Sequence, residues 1–183
     1  KFSRLRARPN IVIPTEPGYC FDGGIMVGGT KFYESAKAYY QRPDTPGAAI
    51  FGIEMRPTNK LDKDKLLDRV PFLTQMMGDL VNHTKTLRRG DRPLAGLDGQ
   101  EMLTKIDAEG ITAYYFIWEA QGKLSEDHGP QSTLQPNTHI ELRIGGEPNK
   151  RTDKRETSEL SEEEALALWD AMLNSLRVRP GAV

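Results

Sequence analysis

The chain has 183 residues, 37% hydrophobic and 28% charged, and its 25 basic and 26 acidic side chains leave a net charge of −1. This length suits one domain and lets folding bury about 70% of the unfolded surface, so neither a metal nor a disulfide staple is required. The charge balance lacks the basic excess of a nucleic-acid footprint, the apolar runs fall short of the ~20 residues a membrane helix needs, and a single cysteine excludes an internal disulfide or a cysteine-based zinc site. The opening "KFSRLRARPN" has neither an initiator methionine nor an apolar signal segment. Residues 1–10 are therefore read as a linker or the remnant of a preceding region, and residues 11–183 as one domain.

In chain order, Asn10–Pro14 reads as a strand piece, and Tyr19–Gly28 as a second strand broken or bulged at Gly23–Gly24. Tyr39 and Tyr40 follow beside a turn-rich segment, "QRPDTPG". In "AAIFGIEMRP", Phe51, Ile53 and Met55 alternate onto one face and Pro57 ends the strand. Leu66, Val70, Leu73, Met77 and Leu80 recur at helical spacing and predict a helix over Leu61–Val81, kinked or split at Pro71. The segment from Thr84 to Ile106 predicts two strands, with turns at Gly90–Asp91 and Asp98–Gly99. "TAYYFIWEA" is apolar on both faces, as a central covered strand is, whereas "THIELRIGG" sets Ile140, Leu142 and Ile144 against a wet face of His139, Glu141 and Arg143. Gly145–Leu160 reads as a solvated loop. A final helix starts at Ser161, where Ser161 and Glu164 form a capping box; Ala165, Leu168, Trp169, Met172, Leu173 and Leu176 make its core stripe, and Pro180–Gly181 closes it. The fold class predicted is α+β: an antiparallel sheet with two main helices packed on it.

The glycine-rich stretch "YCFDGGIMVGGTK" invites two catalytic readings, and neither is well supported. A phosphate-binding loop needs a lysine directly after the second glycine, but Gly29 stands there and Thr30–Lys31 come late and in reverse order. A nucleophilic Cys20 needs a neighbouring base and positive surroundings. Its sequence neighbours are Glu16 and Asp22, while His83, His128 and His139 lie in surface contexts, so a small packed side chain is the simpler reading. The carboxylates of "SEEE" and "SEDH" point in different directions on adjacent positions and define no metal site. The basic run Lys85, Arg88, Arg89, Arg92 reads either as edge-strand protection or as a binding patch, and Lys150, Arg151, Lys154 and Arg155 as solvated charge.

The segments "IPTEPGYCFDGG", "GIEMRP", "GLDGQE", "FIWEAQGK" and "LSEEEALALWDAMLNSLRVRPGA" together resemble the C-terminal domain of the Tle cognate immunity proteins, the immunity partners of type VI secretion lipases. The resemblance runs from about Ile11 to Ala182. It implies a non-enzymatic domain with no cofactor that binds and neutralises a lipase or phospholipase effector in the periplasm by steric occlusion. It also implies full-length proteins that are exported or lipid-anchored, so that membrane contact comes only through an N-terminal anchor outside this sequence. Aromatic and arginine anchors dominate desolvated interface centres, which makes Tyr39, Tyr40, Arg88, Arg89 and Arg92 the candidate partner-binding residues. The alternatives are an exported α+β ligand-binding or scaffold lipoprotein domain, or a hydrolase dependent on Cys20.

Overall fold

The computed structural model describes residues 2–28, 35–41, 49–57, 61–71, 75, 78–124, 135–146 and 154–180. Its strands are β1 (Leu5–Ala7), β2 (Gly18–Phe21), β3 (Gly24–Val27), β4 (Ala36–Gln41), β5 (Ile50–Arg56), β6 (Thr84–Asp91), β7 (Gly99–Ala108), β8 (Ile111–Ala120) and β9 (Asn137–Ile144). They form a three-stranded sheet ordered β1-β3-β2 and a six-stranded sheet ordered β4-β5-β9-β8-β7-β6, with antiparallel pairing throughout.

Register and the two-residue period of a strand place the core. Ile53, Ile140 and Trp118 lie in one row across β5, β9 and β8; Phe51, Leu142, Phe116 and Leu103 form the next row, which reaches β7. Onto this face the C-terminal helix, Glu162–Ser175, lays Ala165, Trp169 and Leu173, all 0% exposed. The Trp169 ring meets Phe116 edge-on, with centroids 5.9 Å apart. Ser161 accepts from the Glu164 amide and the Glu164 carboxylate accepts from the Ser161 amide, so both halves of the predicted capping box are present. The helix stops at Ser175, short of Pro180, because the Ser175 hydroxyl and the Arg177 guanidinium satisfy its last carbonyls.

The α+β class stands, with one main helix among the described residues rather than two. The predicted helix Leu61–Val81 is divided. Leu67–Arg69 and Gly78–His83 are short 3-10 turns and Val70–Pro71 is helical, while residues 72–74, 76 and 77 lie outside the described residues. Two local features oppose one continuous helix. Pro71 brings no amide proton, and Gly78 adopts φ +53°, outside the right-handed helical region.

Three further expectations shift. Asn10–Pro14 forms no strand, because the Arg8 guanidinium takes the carbonyls of Pro9, Asn10 and Val12 that a ladder would use. The break at Gly23–Gly24 is the turn of a β2–β3 hairpin, with Gly23 at φ +75° and its amide bound to the Asn10 side chain. Gly90 and Asp91 continue β6, and the reversal falls instead at Ala95–Gly96, both at positive φ. Strand β4, around Tyr39 and Tyr40, and the short β1 within residues 1–10 both emerge only in the structure. The "IPTEPG" stretch is a structural lead-in to β2. Near the chain's other end, the Arg179 guanidinium donates to the carbonyls of Pro14 (3.0 Å), Glu16 (2.8 Å) and Gly18, binding this segment to the C-terminal tail.

Candidate functional site

The arginine candidates lie at one edge of the large sheet. On β6, Arg88 projects toward the C-terminal helix and Arg89 to the opposite face, as alternation requires. Arg88 forks onto Asp170, with contacts of 2.6 and 3.1 Å, and its Nε stands 2.7 Å from Glu101, an ion-pair contact outside hydrogen-bond geometry. Arg92 reaches Glu101 at 2.9 Å, Asp170 at 2.7 Å and Asn174 at 3.1 Å. Glu101 is 5% exposed and also accepts the Trp169 indole N–H at 3.0 Å; the Trp118 indole closes the group by donating to the Arg92 carbonyl at 2.7 Å. Arg88 and Arg92 thus bind helix to sheet, whereas Arg89 remains exposed on the outer face.

The opposite face of the sheet carries a half-buried polar band. Lys37, Glu54, His139 and Glu119 occupy one row across β4, β5, β9 and β8. Lys37 pairs with Glu54 at 3.0 Å and His139 Nδ1 lies 3.0 Å from Glu119, which also receives Arg69. In the next row Tyr39, Gly52 and Glu141 are neighbours, and the Tyr39 ring folds over Gly52. A Cβ added at Gly52 would stand 2.6 Å from that ring and 3.0 Å from the Glu141 side chain. The predicted wet face of β9 is therefore partly closed, with Glu141 only 9% exposed and within 3.3 Å of the Tyr115 hydroxyl. Burial pushes the Tyr115 hydroxyl up to about 12 and the Glu141 carboxylate adds to it, so at neutral pH Tyr115 is a hydrogen-bond donor.

The tyrosine candidates lie at the other edge. Tyr39 is 50% and Tyr40 63% exposed, on opposite faces of β4; Tyr40 packs toward Phe51 with centroids 6.3 Å apart. The sheet's full width separates them from Arg88, Arg89 and Arg92, so the structure does not gather the candidates into one patch. A cleft of about 220 Å³ opens between the 61–69 segment and the ends of β7 and β8, lined by residues that include Asp62, Lys65, Arg69, Gln100, Glu119 and Lys123. Its charges are mixed in sign. Among the described residues no three potential ligands are grouped to hold a metal, and no hydrogen bond joins Cys20, half-buried in β2, to a histidine or carboxylate. His128 lies outside the described residues.

Two depressed carboxyls give this arrangement a pH signature. The Arg88 hydrogen bond, followed by Arg92, holds Asp170 below its usual 3.8. Burial pushes Glu119 up, but His139 and Arg69 more than offset it and leave it below 4.5. A carboxylate depressed in the folded state stabilises above its unfolded pKa and loses that contribution as pH falls through the folded one. Thermal melts are therefore expected to be flat with respect to these two groups above about pH 5 and to fall below about pH 4. The acid-side fall is expected to shrink in Asp170→Asn, measured by the same melts.

This architecture is that of immunity proteins of type VI secretion. The apo structure of immunity protein TplEi from Pseudomonas aeruginosa is 32% identical, with a TM-score of 0.73 over 97% of this chain and 55% of that chain. The same protein complexed with an "L" peptide matches at 32% identity and TM-score 0.73, over 97% of this chain and 59% of that one. The Tle4–Tli4 complex matches at 32% identity and TM-score 0.74, over 97% of this chain and 56% of that one. The chain belongs to the family of Tle cognate immunity protein 4 C-terminal domains, whose sequence model matches residues 12–181. It spans between 55% and 59% of the length of these three solved chains. No curated protein sequence matches it.

Proposed function

We propose that this chain is the C-terminal domain of an immunity protein that binds a type VI secreted phospholipase effector and neutralises it by steric occlusion, without catalysis of its own. The observation that carries the reading is the family match across residues 12–181, together with 32% identity to proteins solved as T6SS immunity proteins over 97% of the chain. Relatives of this fold are solved with a peptide and in the Tle4–Tli4 complex, which supports a polypeptide partner here. In this reading residues 11–183, with β1 from the preceding ten residues completing the small sheet, are the effector-binding domain, and the protein acts in the periplasm, where a lipid anchor would hold the full-length form. Tyr39, Tyr40 and Arg89 are the exposed anchor candidates, while Arg88 and Arg92 are taken up in joining the helix to the sheet.

The test is titration calorimetry of this protein against the lipase effector of its own type VI system, with residual lipase activity followed in parallel. One-to-one binding with loss of activity is the expected result. A folded protein that gives no binding heat and leaves the lipase fully active would overturn the reading.

A further inference from the structure

The two edges of the six-stranded sheet are built differently, and the difference indicates how a partner is held. An edge strand presents unpaired N–H and C=O groups that template pairing with another strand, and proteins blunt such edges with charge, bulges or covering elements. Strand β6 has charge and a bulge. It carries Lys85, Arg88, Arg89 and Asp91, its register shifts between Thr86 and Arg88, and Lys85–Glu162 (3.0 Å) and Arg88–Asp170 (2.6 Å) strap it to the C-terminal helix.

Strand β4 has none. Its register against β5 runs unbroken from Ala36↔Met55 to Gln41↔Ile50, its only charged residue is Lys37, and it contains no proline. Among the described residues no strand pairs with its outer edge. Both of its large side chains lean back over β5, Tyr39 over Gly52 on one face and Tyr40 toward Phe51 on the other. Among the described residues nothing covers the backbone edge, and a half-exposed aromatic ring flanks it on each face.

From this contrast, and resting on the effector-binding reading above, we infer that β4 accepts one extended segment of the effector as a seventh strand of the sheet. Main-chain hydrogen bonds supply the attachment, and side-chain alternation supplies selectivity. Successive apolar side chains of the incoming strand pack against Tyr39 on one face and Tyr40 on the other. A carboxylate opposite Lys37 completes the row in which Glu54 already meets that lysine from the other side. This charge requirement favours the effector strand over the same strand of a second copy, because Ala36–Gln41 carries no acidic residue to set opposite Lys37.

The experiment is amide hydrogen exchange on this protein with and without the effector, combined with proline substitutions walked through Lys37, Ala38, Tyr39 and Tyr40. In the complex, amides of residues 36–41 are expected to slow by about tenfold or more, while those of β6 stay unchanged. The proline series is expected to alternate. Positions whose N–H faces β5 lose thermal stability; the intervening positions keep the fold and lose about tenfold in affinity, since one edge donor is gone. A complex that forms without slowing β4, or fold-retaining prolines that bind like the parent, overturns the strand-addition proposal and leaves the immunity reading standing. Absence of any complex overturns both. Slowing of β4 that depends on protein concentration and needs no effector assigns the edge to a second copy and also overturns it.

Discussion

Replacing Glu101 with alanine is expected to lower the stability of the domain by about 3–5 kcal/mol, the cost of removing one partner from a buried ionic group. Glu101 lies in the inward row of β7, between Gly99 and Leu103, and is 5% exposed. Its two oxygens are the convergence point of Arg88, Arg92 and the Trp169 indole. Alanine leaves the Arg92 head, which is 18% exposed, and a fully buried indole N–H without that acceptor. Arg88 is 38% exposed and still has Asp170, so it loses less. Glu101→Gln keeps an acceptor for the indole but turns an amide NH₂ toward a guanidinium, and about 1–3 kcal/mol is expected. Urea unfolding reads both: the midpoint should fall with the slope held constant. A Glu101→Ala midpoint within error of the parent would mean that the cluster contributes nothing to holding the helix.

The same residues show what the sequence could and could not reveal. Strand β8 was readable as a central strand from its apolar run, although only one of its faces is fully covered and Tyr115 on the other is 36% exposed; the C-terminal helix was readable because its cap and its stripe point the same way. Strand β4 was not, since "AKAYYQ" is an edge strand and needs neither apolar face in full. The predicted first helix is divided rather than continuous: Val70, Pro71 and Gln75 are helical, Leu67–Arg69 is a 3-10 turn, and Gly78 stands at φ +53°. The run "KTLRRGDR" looked like one basic patch, but alternation splits it: Arg88 turns inward to an acid 82 positions away and Arg89 turns outward. No local pattern encodes that partner. One signal was available, a glutamate at a core position of an alternating strand, because a charge there requires a counter-charge. The tyrosines stand out in the sequence only as aromatic candidates beside a turn-rich segment; what the sequence could not show is that the strand bearing them is an edge of the sheet.

Replacing Trp169 with alanine is the second large loss expected, about 3–5 kcal/mol from emptying a fully buried aromatic site. Trp169→Phe divides that cost. Phenylalanine keeps most of the edge-on packing against Phe116 but cannot donate to Glu101, so about 1–2 kcal/mol is expected, near that of an unmade buried hydrogen bond. If the two variants cost the same, the indole N–H rather than ring volume docks the helix, and the Glu101→Ala loss should then shrink, to the part due to Arg88 and Arg92, in a Trp169→Phe background. If they differ as expected, the helix is held chiefly by packing and the ion cluster fixes its register. In either case the variants act on the helix-covered face, with β9 and β5 between them and the β4 edge. Effector affinity, corrected for the folded fraction, is therefore expected to stay at the parental value in Trp169→Phe while its unfolding midpoint drops. A weakened affinity in a fully folded Trp169→Phe protein would place the helix, rather than the open edge, in contact with the effector.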